Sequence, residues 1–425
     1  MFSLRALRSR ARYEILTPAA LLGVGLALAA TAPALATMPP AFIIIPAGGS
    51  YTNSILVQIL DGSVAVGSEG NVTTFTNTST GQITTSSNTV VDISANVDTF
   101  SNAGLISSAG DDGVHIRGNV TTSFTNSGEI YGGDGVAIDF GGTVASFANT
   151  TTGRIGSDGN DAVYFDDAVG SFTNAGQIKS DSYAGVYFNQ SVTSFSNSAT
   201  GLIESVGNGG GDAIGVYIEG DEDAADGTPA VTTFTNAGTI LSGQSTGVYI
   251  GKGSSSNPAA GSILNSGNVF GAYGGFDIYG DVGNFTNTAS GKIAANMSFD
   301  SESAGVAIFG NVTGTFTNAG SITANSSYSG KGLSAGVLIF GDVANFENSG
   351  SIVGTGAFDG ESASLSGIGV LVSGNTGSFT NSGKIEGSIA GVAFGFDGES
   401  PVPVTSFTNT ASGTITGLGE MGVGF

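Results

Sequence analysis

The sequence predicts an all-β chain, wound as a right-handed parallel β-helix of about 13 coils with three short strands per coil. Three observations predict it. The phrase Phe-Thr-Asn, then a small residue, Gly, any residue and Ile, recurs with variations, its Asn at 77, 102, 126, 149, 174, 197, 236, 265, 287, 318, 348, 381 and 409. The residue two before the Asn is Phe in twelve copies and Ile263 in the other, and the Gly stands two or four after it. A second phrase, Gly-Val-x-Ile or Gly-Val-x-Phe, follows most copies, as in Gly185-Val186-Tyr187-Phe188, with close variants such as Ala162-Val163-Tyr164-Phe165 in the others. Within both phrases β-branched and aromatic residues alternate with polar ones at period 2, which is the strand signal, and no 3.6-residue pattern competes.

Taken in chain order, residues 1–36 read as a secretory signal peptide. Arg5, Arg8, Arg10 and Arg12 precede an apolar stretch over 15–30 and a small-x-small end, Ala34-Leu35-Ala36. Pro18, Pro33 and that end favour cleavage over a retained membrane anchor. Residues 37–62 read as an irregular start or cap. Residues 63–425 hold the repeat, whose spacing averages about 28 residues. Each coil should pair with the coils above and below at about 4.8 Å, so that like stacks on like. Phe75, Phe100, Phe124, Phe147, Phe172 and Phe195 then form an interior aromatic ladder, and Ile106, Ile130, Ile155, Ile178 and Ile203 an aliphatic one. Asn77, Asn102, Asn126, Asn149, Asn174 and Asn197 form a ladder at a corner. Asn and Gly are expected there because both reach the left-handed backbone conformation of tight turns.

Composition excludes several functions. A formal charge of −23 argues against binding a phosphate backbone, and so against a nucleic-acid partner. The absence of Cys removes disulfides, thiolate metal sites and Cys nucleophiles. His115 is the only His; between inward Val114 and Ile116 it should point outward as an ordinary surface residue. No Ser, His and Asp set forms at local spacing, and the basic residues an acidic-sugar enzyme needs are scattered singly. The chain therefore reads as non-catalytic and without a resident cofactor. A β-helical polysaccharide lyase or hydrolase acting on acidic glycans is the enzymatic alternative.

A cleavable signal, an acidic chain free of Cys and tandem Phe-Thr-Asn-Ser-Gly-x-Ile and Gly-Val-x-Ile coils resemble the passenger region of bacterial autotransporters, over roughly residues 63–425. The resemblance implies a Gram-negative cell-surface or secreted protein, commonly an adhesin, followed by a C-terminal translocator barrel. Its implied partners are host or matrix molecules, glycans or sister cells, and the outer-membrane translocation machinery. Gly422-Val423-Gly424-Phe425 is itself a repeat strand, so the chain reads as a passenger fragment lacking that barrel.

Two features stand out as candidate binding residues. The x of Gly-Val-x-Ile/Phe faces outward, and in four successive coils it is Tyr164, Tyr187, Tyr217 and Tyr249, an aromatic strip suited to sugar binding or to strand stabilisation. The period also stretches: 13 to 18 residues separate Ile203 from Val216, Ile293 from Val306, Ile322 from Val337 and Ile352 from Val370, against 6 to 8 elsewhere. These insertions leave one corner, and three carry aromatic tips, Phe299, Tyr328 and Phe358. Beside them the pairs Asp300 with Glu302 and Asp359 with Glu361 are weak candidates for Ca²⁺, the alternative being solvated acidic loops.

Overall fold

The computed structural model describes residues 43–59, 64–207, 213–221, 227–251, 258–297, 303–326, 334–356, 366–395, 402–418 and 421–424. Among them every regular element is a strand, and the strands stack into three parallel sheets. Sheet A, 15 strands, holds the Gly-Val-x-Ile segments; sheet B, 14 strands, the Phe-Thr-Asn segments; sheet C, 14 strands, the x-Ile-x segments. Every pairing joins one coil to the next, as in Val169↔Val192, Phe172↔Phe195 and Asn174↔Asn197. This is the three-strand parallel solenoid expected from the repeat.

The regular coils begin earlier than the first Phe-Thr-Asn copy. Ile43–Ile45, Gly49–Asn53 and Leu56–Ile59 enter sheets A, B and C, with Tyr51 opposite Phe75 and Asn53 opposite Asn77. Tyr51-Thr52-Asn53 is the repeat phrase with Tyr in place of Phe, so part of the segment read as an irregular start is a full coil. At the other end Phe407, Ile415 and Val423 are only partly buried.

The core is built by stacking. Phe75, Phe100, Phe124, Phe147, Phe172 and Phe195 are fully buried, with successive rings 4.3–5.4 Å apart and within 8° of parallel. A second column from sheet A, Phe140, Phe165 and Phe188, meets them edge to face, as in Phe147–Phe165 at 5.6 Å and 88°. Stacked and T-shaped contacts each place electropositive ring edges against electronegative faces or offset them.

The corner between sheets B and C is held by side chains. Each Asn from Asn53 to Asn381 donates its Nδ2 to the Oδ1 of the Asn one coil on, at 2.7–2.9 Å throughout. The second amide hydrogen is shared with carbonyls of the turn, for Asn174 those of Gly176 and Leu202. All but the last Asn are buried, and the bonds satisfy groups that burial would otherwise leave costly.

The backbone reason expected for these corners is not the one found. Among the described residues no Asn has positive φ, and the positive-φ glycines, Gly48, Gly207, Gly220, Gly227, Gly367 and Gly395, lie outside the Asn corner. Gly is needed there for space: a Cβ on Gly104 would stand 2.0 Å from the Gly81 carbonyl oxygen, and one on Gly81 would stand 2.1 Å from Asn77 Oδ1. Coils stacked at strand spacing bring backbone against backbone at the turn, and only hydrogen fits between them.

Candidate binding surface

One column of side chains runs along the outer face of sheet A, set by the register of its strands. In order it reads Asp92, His115, Asp139, Tyr164, Tyr187, Tyr217, Tyr249, Asp277, Ala307, Leu338, Leu371 and Ala393. Three chemistries follow one another along the rod: ionic, aromatic, aliphatic.

Tyr164, Tyr187, Tyr217 and Tyr249 do stand side by side, 5.2, 4.6 and 4.5 Å between centroids. The run then shifts by one column and continues through Tyr279, Phe309 and Phe340 at 5.0, 4.4 and 5.1 Å. The signal for this extension was in the sequence: an aromatic directly after the second branched residue, as in Ile278-Tyr279 and Ile308-Phe309. Four of the six neighbouring pairs lie within 14° of parallel, and Tyr164–Tyr187 and Tyr249–Tyr279 are inclined at 27° and 32°, so the ring faces largely cover each other. A ligand meets ring edges and hydroxyls, so face-on packing of a sugar, the usual basis of aromatic carbohydrate binding, is confined to the ends of the run.

Two of the hydroxyls are already engaged with carboxylates. Tyr187 donates to Glu219 Oε2 at 2.6 Å, and Tyr164 to Asp166 Oδ1 at 3.1 Å. Burial, then the Glu219 hydrogen bond and charge, push the Tyr187 hydroxyl far above its ordinary range. Tyr249 is pushed up to about 12, first by burial and then by Tyr279. Both hydroxyls remain neutral across the physiological range.

Past the tyrosines the outward column becomes apolar and is nonetheless buried. Ala307, Leu338 and Leu371 are 1–3% exposed and cluster with Ala304, Ala335 and Ile368. Ala304 and Ala307 share this outer face although they are three apart, because two consecutive residues between them turn inward. A Cβ at Gly305 would meet the interior Ile322 Cγ2 at 2.5 Å, so Gly305 and Val306 both face the core. Strict alternation fails at this point of the strand.

The insertions border this face. Strands Lys292–Met297, Ser321–Ser326 and Ser351–Thr355 run longer than their sheet C neighbours and remain paired to their ends, through Asn296↔Asn325 and Asn325↔Thr355. On the return side Ser303, Ser334 and Ser366 pair in turn. The stems of the three successive insertions are thus side by side at the corner between sheets C and A. Phe299, Tyr328 and Phe358, and with them Asp300, Glu302, Asp359 and Glu361, lie outside the described residues.

A serine column closes the turn at this border in several coils. Ser108, Ser157 and Ser180 are buried at the end of sheet C and each donates to a carbonyl of the preceding coil, at 2.9, 2.7 and 2.7 Å. The same hydroxyl accepts a backbone N–H three residues on, such as Tyr183 on Ser180 at 2.9 Å, which closes a tight turn. Ser205 and Ser242 continue the column through the carbonyls of Tyr183 and Ala213. Gly271, Ala295, Ala324 and Gly354 then occupy it. Three of these four coils carry the successive insertions, but Gly132 and Gly387 stand in the same column in coils with short connections and Ser205 in a coil with a long one, so the hydroxyl stitches the turn without deciding where an insertion falls. The other long connections, 219–230, 251–259 and 395–403, leave the opposite border of sheet A.

His115 does face outward, but half-buried, with Nε2 3.8 Å from Asp139 Oδ2. Asp112 stands close by, its Oδ1 accepting the Val136 N–H at 2.8 Å, and burial pushes its carboxyl up to about 6. Asp112 was not anticipated; it lies on a turn, and only the stacking of two coils brings it to His115. Comparison of the chain with protein-family models, with curated proteins and with solved structures finds no match in any of the three. The fold itself is compatible with a β-helical passenger.

Proposed function

We propose that the chain is the exported passenger of an autotransporter-like protein, non-catalytic and acting in adhesion or display at the surface of a Gram-negative cell. The observation that carries this reading is the distribution of length variation. The Asn corner takes two or four residues in every described coil, whereas long connections leave both borders of sheet A. A rod that keeps two of its faces constant and elaborates the borders of the third suits presentation of one contact face, since solenoid insertions on one side commonly form the binding side. The signal-like residues 1–36 and the acidic chain support export and solubility, with Ca²⁺ at the acidic insertions a minor addition. Host or matrix molecules, glycans or sister cells are the partners this reading names, reached through the outer-membrane translocation machinery.

The test replaces residues 298–302, 327–333 and 357–365 together by short turns. Loss of binding to matrix-coated surfaces, glycan arrays and sister cells, with the far-UV circular dichroism of the rod retained, is the expected result. Unchanged adhesion overturns it and leaves a purely structural surface or biofilm role. Release of reducing ends from acidic polysaccharides overturns it in favour of a lyase or hydrolase.

A further inference from the structure

We infer that Asp112, His115 and Asp139 form a binding site for a divalent transition-metal ion of the zinc type, near the N-terminal end of the rod. His115 lies in the strand Val114–Ile116, whose other two side chains are fully buried, so its imidazole leaves the outer face of sheet A. Asp139 is its register partner in the next coil. Asp112 comes from the turn that leads into the His115 strand, and the Val136 N–H of the next coil fixes its carboxylate. Backbone stacking thus brings together three side chains from two coils.

One ligand atom from each lies within 4.8 Å of the other two, and all three residues are half-buried. Zinc takes imidazole nitrogen and carboxylate oxygen at about 2.0–2.1 Å, which places tetrahedral ligand atoms about 3.4 Å apart. Rotation about the Asp and His side-chain bonds closes that gap. The 3.8 Å between His115 Nε2 and Asp139 Oδ2 is too long for a hydrogen bond but within the span of two such bonds to a shared ion. Two carboxylates and a neutral imidazole carry two negative charges, which one divalent ion neutralises. The guanidinium nearby, Arg117, is held bidentate on Asp92 at 3.2 and 3.0 Å. Imidazole selects zinc, nickel or copper over the oxygen-seeking Ca²⁺ and Mg²⁺. Three protein ligands leave a coordination position for water or for a donor group of a partner.

The test is unusually clean because His115 is the only His of the 425 residues. Chelator-treated chain is titrated with ZnCl₂ and followed by calorimetry and by the ¹H–¹³C resonances of the single imidazole. One Zn²⁺ per chain, with saturable movement of both imidazole signals, is expected, while CaCl₂ leaves them in place. His115→Gln and Asp139→Asn are each expected to weaken Zn²⁺ binding by about tenfold or more with the circular dichroism unchanged. Asp112→Asn, which keeps an acceptor for the Val136 N–H, should do the same. Imidazole signals that stay put at saturating Zn²⁺, or an unchanged affinity in His115→Gln, overturn the assignment.

Discussion

Replacing Asn174 isolates the device that holds the Asn corner together. Its Nδ2 donates to Asn197 Oδ1 at 2.9 Å and to the carbonyls of Gly176 and Leu202 at 3.2 Å, while its Oδ1 accepts from Asn149 Nδ2 at 2.8 Å. In Asn174→Ala the Asn149 amide still reaches the carbonyls of Gly153 and Gln177, but the buried Asn197 oxygen loses its donor. An orphaned buried acceptor costs about 1–3 kcal/mol, and the small void left by the amide adds to it, so about 2–4 kcal/mol is expected. Asn174→Asp separates hydrogen bonding from shape. The carboxylate still accepts from Asn149 but turns an oxygen, not an amide, toward the Asn197 oxygen, inside the rod. Its folded pKa is therefore raised above the unfolded value of about 3.9. A raised folded pKa means stability that is fully present below about pH 4 and is lost as pH rises through the folded value. Relative to the wild type, Asn174→Asp should be worse than Ala at pH 7 and should recover at pH 3.5, where the protonated acid donates to Asn197. Asn409→Ala is the internal control: Asn409 is exposed and donates only to the turn carbonyl of Gly413, so less than about 1 kcal/mol is expected. Urea titration by circular dichroism, with hydrogen exchange of the flanking coils, reads both effects. An Asn174→Asp chain as stable as the wild type at pH 7, or one whose deficit does not change with pH, would refute the directional ladder.

The remaining expectations concern space and the tyrosines. Gly128→Ala places a Cβ 2.1 Å from the Gly104 carbonyl oxygen and should cost about 1–3 kcal/mol or prevent folding, whereas Gly156→Ala meets Tyr131 Cδ2 at 3.4 Å and should be close to neutral; urea midpoints compare the two. Absorbance at 295 nm should show tyrosine ionisation in two stages. Against the ordinary tyrosine value of about 10, Tyr249 holds back to about 12, and Tyr187, Tyr131 and Tyr51 are raised as well, each by burial first. Since their folded pKa values are raised, the stability they contribute is complete below about pH 10 and falls as pH rises through the folded values, so alkaline unfolding should accompany the second stage. A single-stage titration at pH 10 with the fold intact would contradict the half-buried ladder.

In a solenoid much of the tertiary structure is written in the period. Asn149, Asn174 and Asn197 become neighbours because each occupies the same place in its coil, so counting residues located the Phe and Asn ladders, the Tyr run and the shared corner of the insertions. The extra first coil was missed because Tyr51 stands where Phe was sought. The role of Gly is not legible in the sequence, which shows residue type, while the cause, a carbonyl 2.0 Å from a would-be Cβ on Gly104, belongs to the neighbouring coil.

What the sequence by itself determined is therefore the repeat: three strands, like stacked on like, an alternation of inside and outside within each strand. That follows because the same alternation is imposed on every coil by the coil below it. What only the tertiary structure decided lies at the bends and between unlike positions. Gly305 and Val306 both turn inward and so put Ala304 on the outer face; the stacked tyrosines spend their faces on one another; Asp112 on a turn meets His115 and Asp139 on two strands. Alternation carries no information across a corner, where the chain changes direction and its parity resets. There the packing of one coil on the next determines which side chains meet.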